Sequence, residues 1–144
     1  MKTILTILMS LATILGKAQN SKVEIAILKL TNNLRKSKGL SILKIHPEIS
    51  KVALNHSRNM ANGNVEFGHE GFDKRYDTVC IILKYQTAAA ENIEYGSSTG
   101  RSIYELWRNS PHHLENMLGD YKWIGIGISK SPEGVTYATE IFAR

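Results

Sequence analysis

Cysteine is nearly absent. Cys80 is alone, so the chain can form no internal disulfide. It stands in the apolar run Val79-Cys-Ile-Ile-Leu83 with no histidine beside it. That setting predicts a buried, inert thiol and argues against a cysteine nucleophile. Internal repeats, low-complexity tracts and proline-rich linkers are also missing. The basic residues, among them Lys29, Arg35, Lys36, Lys38 and Lys44, are scattered rather than interleaved with aromatics, so there is no nucleic-acid footprint. No phosphate loop or dinucleotide fingerprint occurs. The helix signature His-Glu-x-x-His of ordinary zinc proteases is missing too.

The first residues carry the pattern expected of a targeting signal. Met1-Lys2 is positive, Ile4 to Leu15 is apolar but for Thr and Ser, and Gly16-Lys17-Ala18 offers small residues to a signal peptidase. The run is shorter than the ~20 residues that cross a bilayer. It therefore predicts cleavage after Ala18 rather than a transmembrane anchor, and no cysteine follows it to carry a lipid. The expected division is a signal peptide over residues 1–18 and one domain over residues 19–144. The expected product is secreted, to the extracellular space or the periplasm. A domain of that size buries roughly two-thirds of its unfolded surface. The net charge of +5 is mild and leaves a weak attraction to anionic envelope polymers.

Ser21 to Lys36 reads as a helix, capped by Ser21, with Val23, Ile27, Leu30 and Leu34 on one stripe. Ser41 to Ile45 is a short extended link. Pro47 opens a second helix that carries Ile49, Val52, Ala53, His56 and Met60 on one side. A glycine-flanked loop, Val65 to Phe72, holds His69. A single helical turn is expected from Asp73 to Tyr76. The apolar stretch from Thr78 to Tyr85 fits helix or strand equally. Ser102 to Arg108 is helical, with Ile103, Leu106 and Trp107 facing inward, and Ser110-Pro111 caps and starts a further short helix. The chain closes on a hairpin of Trp123–Ile128 and Val135–Phe142 across the turn Ser131-Pro-Glu-Gly134. Ile124, Ile126 and Ile128 share one face. Gly125 and Gly127 leave the other face bare for close approach.

The stretch Ala88-Ala-Ala-Glu-Asn-Ile-Glu-Tyr-Gly96 organises the rest. It places a carboxylate, Glu91, among small residues at the mouth of a strand. A buried carboxylate needs partners, and the best candidates are His46, His56, His69, His112 and His113. His56 lies on an apolar helix face, where a core histidine bonded to a backbone carbonyl is the plainer reading. His112 and His113 sit about 100° apart on a helix start, so only one of them can face a cleft.

Seven segments occur in order: Ala53-Leu-Asn-His-Ser-Arg-Asn-Met-Ala61, Phe67-Gly-His69, Ala90-Glu-Asn-Ile93, Trp107-Arg-Asn-Ser-Pro-His-His113, Asn116-Met-Leu118, Ile124-Gly-Ile-Gly127 and Tyr137-Ala-Thr-Glu-Ile-Phe142. Together they resemble the CAP superfamily, or SCP-like domain, of cysteine-rich secretory proteins, antigen 5 and pathogenesis-related proteins, and most of all its secreted bacterial branch. The resemblance covers nearly all of the expected mature chain. It implies an α+β fold, a three-layer α-β-α sandwich around a small antiparallel sheet. It also implies a cleft where His69, Glu91 and His113 converge, with His56 close by and His112 solvated. The sequence departs from the pattern at Ala90, which replaces a glycine. The second cleft glutamate and the disulfides of eukaryotic members are missing.

Two imidazoles and a carboxylate are a plausible zinc set, with His69 and His113 as the metal ligands to test. Three readings follow. The favoured one is a binding module with a metal-capable cleft, acting on a cell-envelope polymer, a lipid or a protein. The second is a hydrolase using His69, Glu91 and His113 as catalytic residues, with or without zinc. The third is a polar network that only ties loops to the core.

Overall fold

The structure is a computed structural model that describes residues 21–144; the expected signal peptide lies outside the described residues. Residues 21–37 form α1. Val23 and Ile27 are buried on it, and Thr31 and Arg35 continue the stripe, while Leu30 and Leu34 are half-buried. Ser21 is itself helical, so it is not the residue that precedes the helix. There follow β1 (Lys44–Ile45), α2 (Pro47–Ala61), α3 (Phe72–Leu83), β2 (Ala89–Tyr95), α4 (Gly100–Arg108), α5 (Pro111–Met117), β3 (Trp123–Lys130) and β4 (Thr136–Ala143).

The sheet order is β1-β3-β4-β2. β3 and β4 form the expected hairpin and β2 pairs antiparallel to β4. The extended link before Pro47 adds a two-residue parallel strand on β3, so the sheet is mixed at that edge. Alternation along the strands gives each face its own core. Ile124, Ile126, Ile128, Ala138 and Phe142 pack with α1, α4 and α5. On the opposite face Ile141 and Ala143 pack with Ile49 and Ala53 of α2 and Val79 of α3. These are the three layers.

Gly125 and Gly127 set the spacing between sheet and α2. A Cβ on either would run into helix backbone, at Ile49–Ser50 or at Ala53–Leu54. α3 resolves the ambiguous stretch: the helical turn at Asp73 and the apolar residues after it are one helix. Phe72, Arg75, Tyr76, Val79 and Leu83 form its inward stripe, with Arg75 at a position where an apolar residue is the usual occupant. Cys80 is buried as expected, 8 % exposed. On α4 the buried arc is Ile103, Tyr104 and Trp107. Leu106 turns about 100° away from Trp107 and is exposed, contrary to the sequence expectation. Ser110 precedes α5, but its side chain makes no capping bond; its carbonyl accepts from Leu114 instead.

Two side chains close the layers over β2, an outer strand. Trp107 Nε1 donates to the Ile93 carbonyl at 3.0 Å, and Asn116 Nδ2 to the Glu91 carbonyl at 3.4 Å. Far from there Arg35, 2 % exposed, donates to the carbonyls of Ser41, Met117, Gly119 and Tyr121. One guanidinium thus holds the turn after α1 against the turn after α5.

Candidate functional site

The site is assembled from α2 outward. Ala53, His56 and Met60 share the sheet-facing side of that helix, which aims His56 at β2. His56 Nε2 donates to the Gly68 carbonyl at 2.9 Å, the arrangement of a core histidine. The same nitrogen lies 4.0 Å from Glu91 Oε1. His56 is therefore both a core residue and a cleft residue. Burial first, then the Arg75 charge, lowers its pKa below 6.5, so it is neutral at neutral pH.

Pinning Gly68 fixes the loop that carries His69. His69 Nδ1 donates to Glu91 Oε1 at 2.9 Å. That bond orients the ring, which is half-exposed, and leaves Nε2 unbonded among the described residues. The strongest partner of Glu91 is not a histidine, however. Arg75 grips it in a two-point fork, Nε to Oε2 at 2.6 Å and Nη2 to Oε1 at 2.7 Å. The same guanidinium donates to the carbonyls of Glu70 and His69. Arg75 thus ties the His69 loop and α3 to the β2 carboxylate. The sequence reading missed it, and its signal was a cation at an inward position of the α3 stripe.

His113 arrives from the other layer. Asn92 Nδ2 donates to its carbonyl at 3.1 Å. Its ring nitrogen Nδ1 is buried without a partner. Burial, then the charges of His69 and His112, lowers its pKa. His69, Glu91 and His56 are in direct reach of one another, whereas His113 borders them without bonding Glu91. His112 is exposed, as expected, and His46 stacks edge-on against Trp123 at 5.3 Å. Neither touches Glu91.

A second carboxyl also escaped the sequence reading. Glu140 is fully buried on the opposite face of the sheet, where it accepts one bond from Asn92 Nδ2 at 2.8 Å. Its other oxygen has no partner, and burial pushes its pKa up to about 8. Its inward position in the alternating strand Tyr137–Phe142 was the available signal.

The donor set does not fit a zinc centre. Both Glu91 oxygens are engaged by a cation, which leaves the imidazoles of His69 and His113. A zinc site takes three or four protein ligands. Among the described residues no group of three or more His, Cys, Asp or Glu is arranged to hold a metal ion. A serine nucleophile is not supplied either: Ser57 Oγ is fully buried between the Gly127 carbonyl and Thr139 Oγ1. What the arrangement offers is a rigid polar wall. Beside it, between α2 and α3, runs a groove of about 630 Å³ that shares His56 and Arg75 with the cleft and adds Lys51, Asn55, Asn59 and Lys74. Its volume is that of a small-ligand pocket.

The family model described as CAP, cysteine-rich secretory protein family, matches residues 28–142. The chain is similar to an uncharacterised Bacillus subtilis protein, YkwD, with 32 % identity over 115 residues, covering 77 % of this chain and 44 % of that protein. It is also similar to an uncharacterised B. subtilis membrane protein, YlbC, with 34 % identity over 124 residues, covering 82 % of this chain and 33 % of that protein. Among solved structures it resembles an extracellular SCP-domain protein of Bacillus anthracis, with a TM-score of 0.65, 27 % identity, and coverage of 82 % of this chain and 39 % of that one. The chain thus spans less than half the length of each of these relatives. With the seven ordered segments and the α-β-α layers in place over the matched region, the chain belongs to the CAP family of cysteine-rich secretory proteins.

Proposed function

We propose that this chain is an exported CAP-type binding module that holds its ligand against the cleft wall and the adjoining groove, without a resident metal. Export is supported by the signal pattern of the first 18 residues and by the description of the B. anthracis neighbour as extracellular. The observation that carries binding over hydrolysis is the saturation of Glu91. Arg75 and His69 take both of its oxygens, so neither is left unengaged to meet a substrate. A hydrolase reading keeps one supporting observation: the neutral, unpartnered Nδ1 of His113, which can accept a proton.

The test is co-sedimentation of the purified chain with isolated cell-envelope material, alongside assays for released reducing ends, amines and fatty acids. Saturable retention without product is the expected result. Product release that His113→Ala abolishes would replace this reading with the hydrolase. Calorimetric titration with zinc at pH 7.5 is expected to show no one-to-one binding. Stoichiometric binding lost in His69→Ala would restore the metal to the cleft.

A further inference from the structure

α2 ends at Ala61, and the last rung of β2 and β4 lies at the far end of those strands from Ala89 and Ala143. That rung is Tyr95 opposite Tyr137, with ring centroids 5.7 Å apart and planes within 20°. The loop after α2 returns Phe67 onto them, 4.7 Å from Tyr95 and 6.5 Å from Tyr137. Phe67 and Tyr95 remain 46 % and 54 % exposed and Tyr137 is half-buried beside them, so the cluster is a surface feature rather than core. Neither tyrosine hydroxyl has a hydrogen-bond partner among the described residues. Tyr95 follows Glu91 and Ile93 on the same strand face, about 13 Å from Glu91. Phe67 stands two residues before His69. The rings therefore extend the cleft wall along β2.

We propose that Phe67, Tyr95 and Tyr137 form a stacking platform for a neutral glycan chain, with pyranose C–H faces on the rings and sugar hydroxyls meeting the tyrosine O–H groups. This rests on the binding-module reading and gives it a ligand class. The chemistry around the rings favours a sugar. Segments 62–67, 95–98 and 135–137 contain no Lys or Arg and one exposed acid, Glu66. They otherwise carry neutral hydrogen-bonding residues at the surface: Asn62, Asn64 and Ser98, with Ser97 half-buried beside them. An anionic membrane would need cations beside the apolar surface. A protein partner would need roughly 800 Å² on this side, and the half-exposed rings of Phe67 and Tyr95 with the half-buried Tyr137 supply less than about 300 Å². Rings with free hydroxyls suit a ligand that is apolar on its faces and polar at its rim.

The experiment is titration of the purified protein with chitotetraose and, separately, cellotetraose, followed by calorimetry and by NMR of the aromatic side chains. At least one sugar is expected to bind and to shift the tyrosine and Phe67 signals. Tyr95→Ala and Phe67→Ala should each raise Kd about tenfold, whereas Tyr95→Phe, which keeps the ring, should stay within about threefold. Ile81→Ala, at an exposed apolar residue of α3 outside the platform, should leave Kd unchanged. No binding of either sugar, or equal binding by Tyr95→Ala, overturns the proposal. So does binding to phosphatidylglycerol vesicles, or self-association in sedimentation analysis, that Tyr95→Ala removes. If Tyr95→Ala still co-sediments fully with envelope material, the platform fails while the binding module stands. If the wild type does not co-sediment, it is the broader reading that fails.

Discussion

Glu91 and Glu140 are carboxyl groups buried on neighbouring strands, one register step apart. Glu91 lies opposite Ile141, and Glu140 opposite Asn92, so they project to opposite faces of the sheet. Glu91 meets a two-point guanidinium fork and an imidazole. Glu140 meets one amide, has an orphaned oxygen, and is pushed up to about 8. Depth does not separate them. The difference is whether a cation reaches the carboxyl itself: α3 delivers Arg75 to Glu91, whereas Arg35 on the other face is spent on carbonyls. One carboxyl becomes the knot of a site, and the other an uncharged acid held in the core.

The largest expected effect is on that knot. Arg75→Met leaves Glu91 buried without its cation and should cost about 3–5 kcal/mol of stability in urea unfolding at pH 7. Adding Glu91→Gln should restore much of the loss, because a neutral amide needs no counter-charge. A loss below about 1 kcal/mol in the single variant would show that the fork is not what stabilises Glu91.

The next effect separates the two carboxyls by pH. The folded pKa of Glu140, about 8, is above the ordinary carboxyl value of 4.5, so between those values the folded chain holds a proton that the unfolded chain has released. Its contribution is full below pH 4.5 and is lost as pH rises to about 8, on the order of a few kcal/mol in all. Glu140→Gln should therefore gain on the wild type steadily across that window. Parallel stability curves for the two proteins would mean that Glu140 is solvated or otherwise paired.

The smallest effect runs the other way. His56 and His113 have folded pKa values below 6.5, so the unfolded chain takes up protons first. Their contribution is full above pH 6.5 and falls as pH drops below it. His113→Gln should flatten the acid limb of the curve and leave the limb above pH 7 in place. An unchanged acid limb would show that His113 is as accessible to protons in the fold as in the unfolded chain.

Much of this arrangement was legible in the sequence. Alternating isoleucines and bare glycines marked the β3–β4 hairpin and the helix that lies on it. Glu91 among alanines marked the cleft, and Phe67-Gly-His69 marked the loop that meets it. What was not legible has one physical character. Arg75 and Arg35 are cations standing at inward positions of helical stripes, Arg75 between Phe72 and Val79, Arg35 after Ile27 and Thr31. Read for hydrophobicity, such residues mark the edge of a helix or a turn. Read as buried donors, they point to carbonyls or carboxylates brought close from elsewhere in the chain, and a local pattern cannot say which ones. Leu106 failed for a simpler reason. On a helix of nine residues the buried arc is narrow, and Trp107 fills its centre.

β2 is an outer strand, and an outer strand is a template on which another chain can pair. Here its outward carbonyls at Ile93 and Glu91 are taken by the indole of Trp107 and the amide of Asn116. The tryptophan at the centre of the core is thus also a guard on the edge of the sheet. No disulfide holds α4 and α5 over that edge, so the protection is only as durable as their packing. Damage that lifts α4 and α5 away would bare the Ile93 and Glu91 carbonyls together, and its first product would be an intermolecular sheet sooner than an isolated unfolded chain.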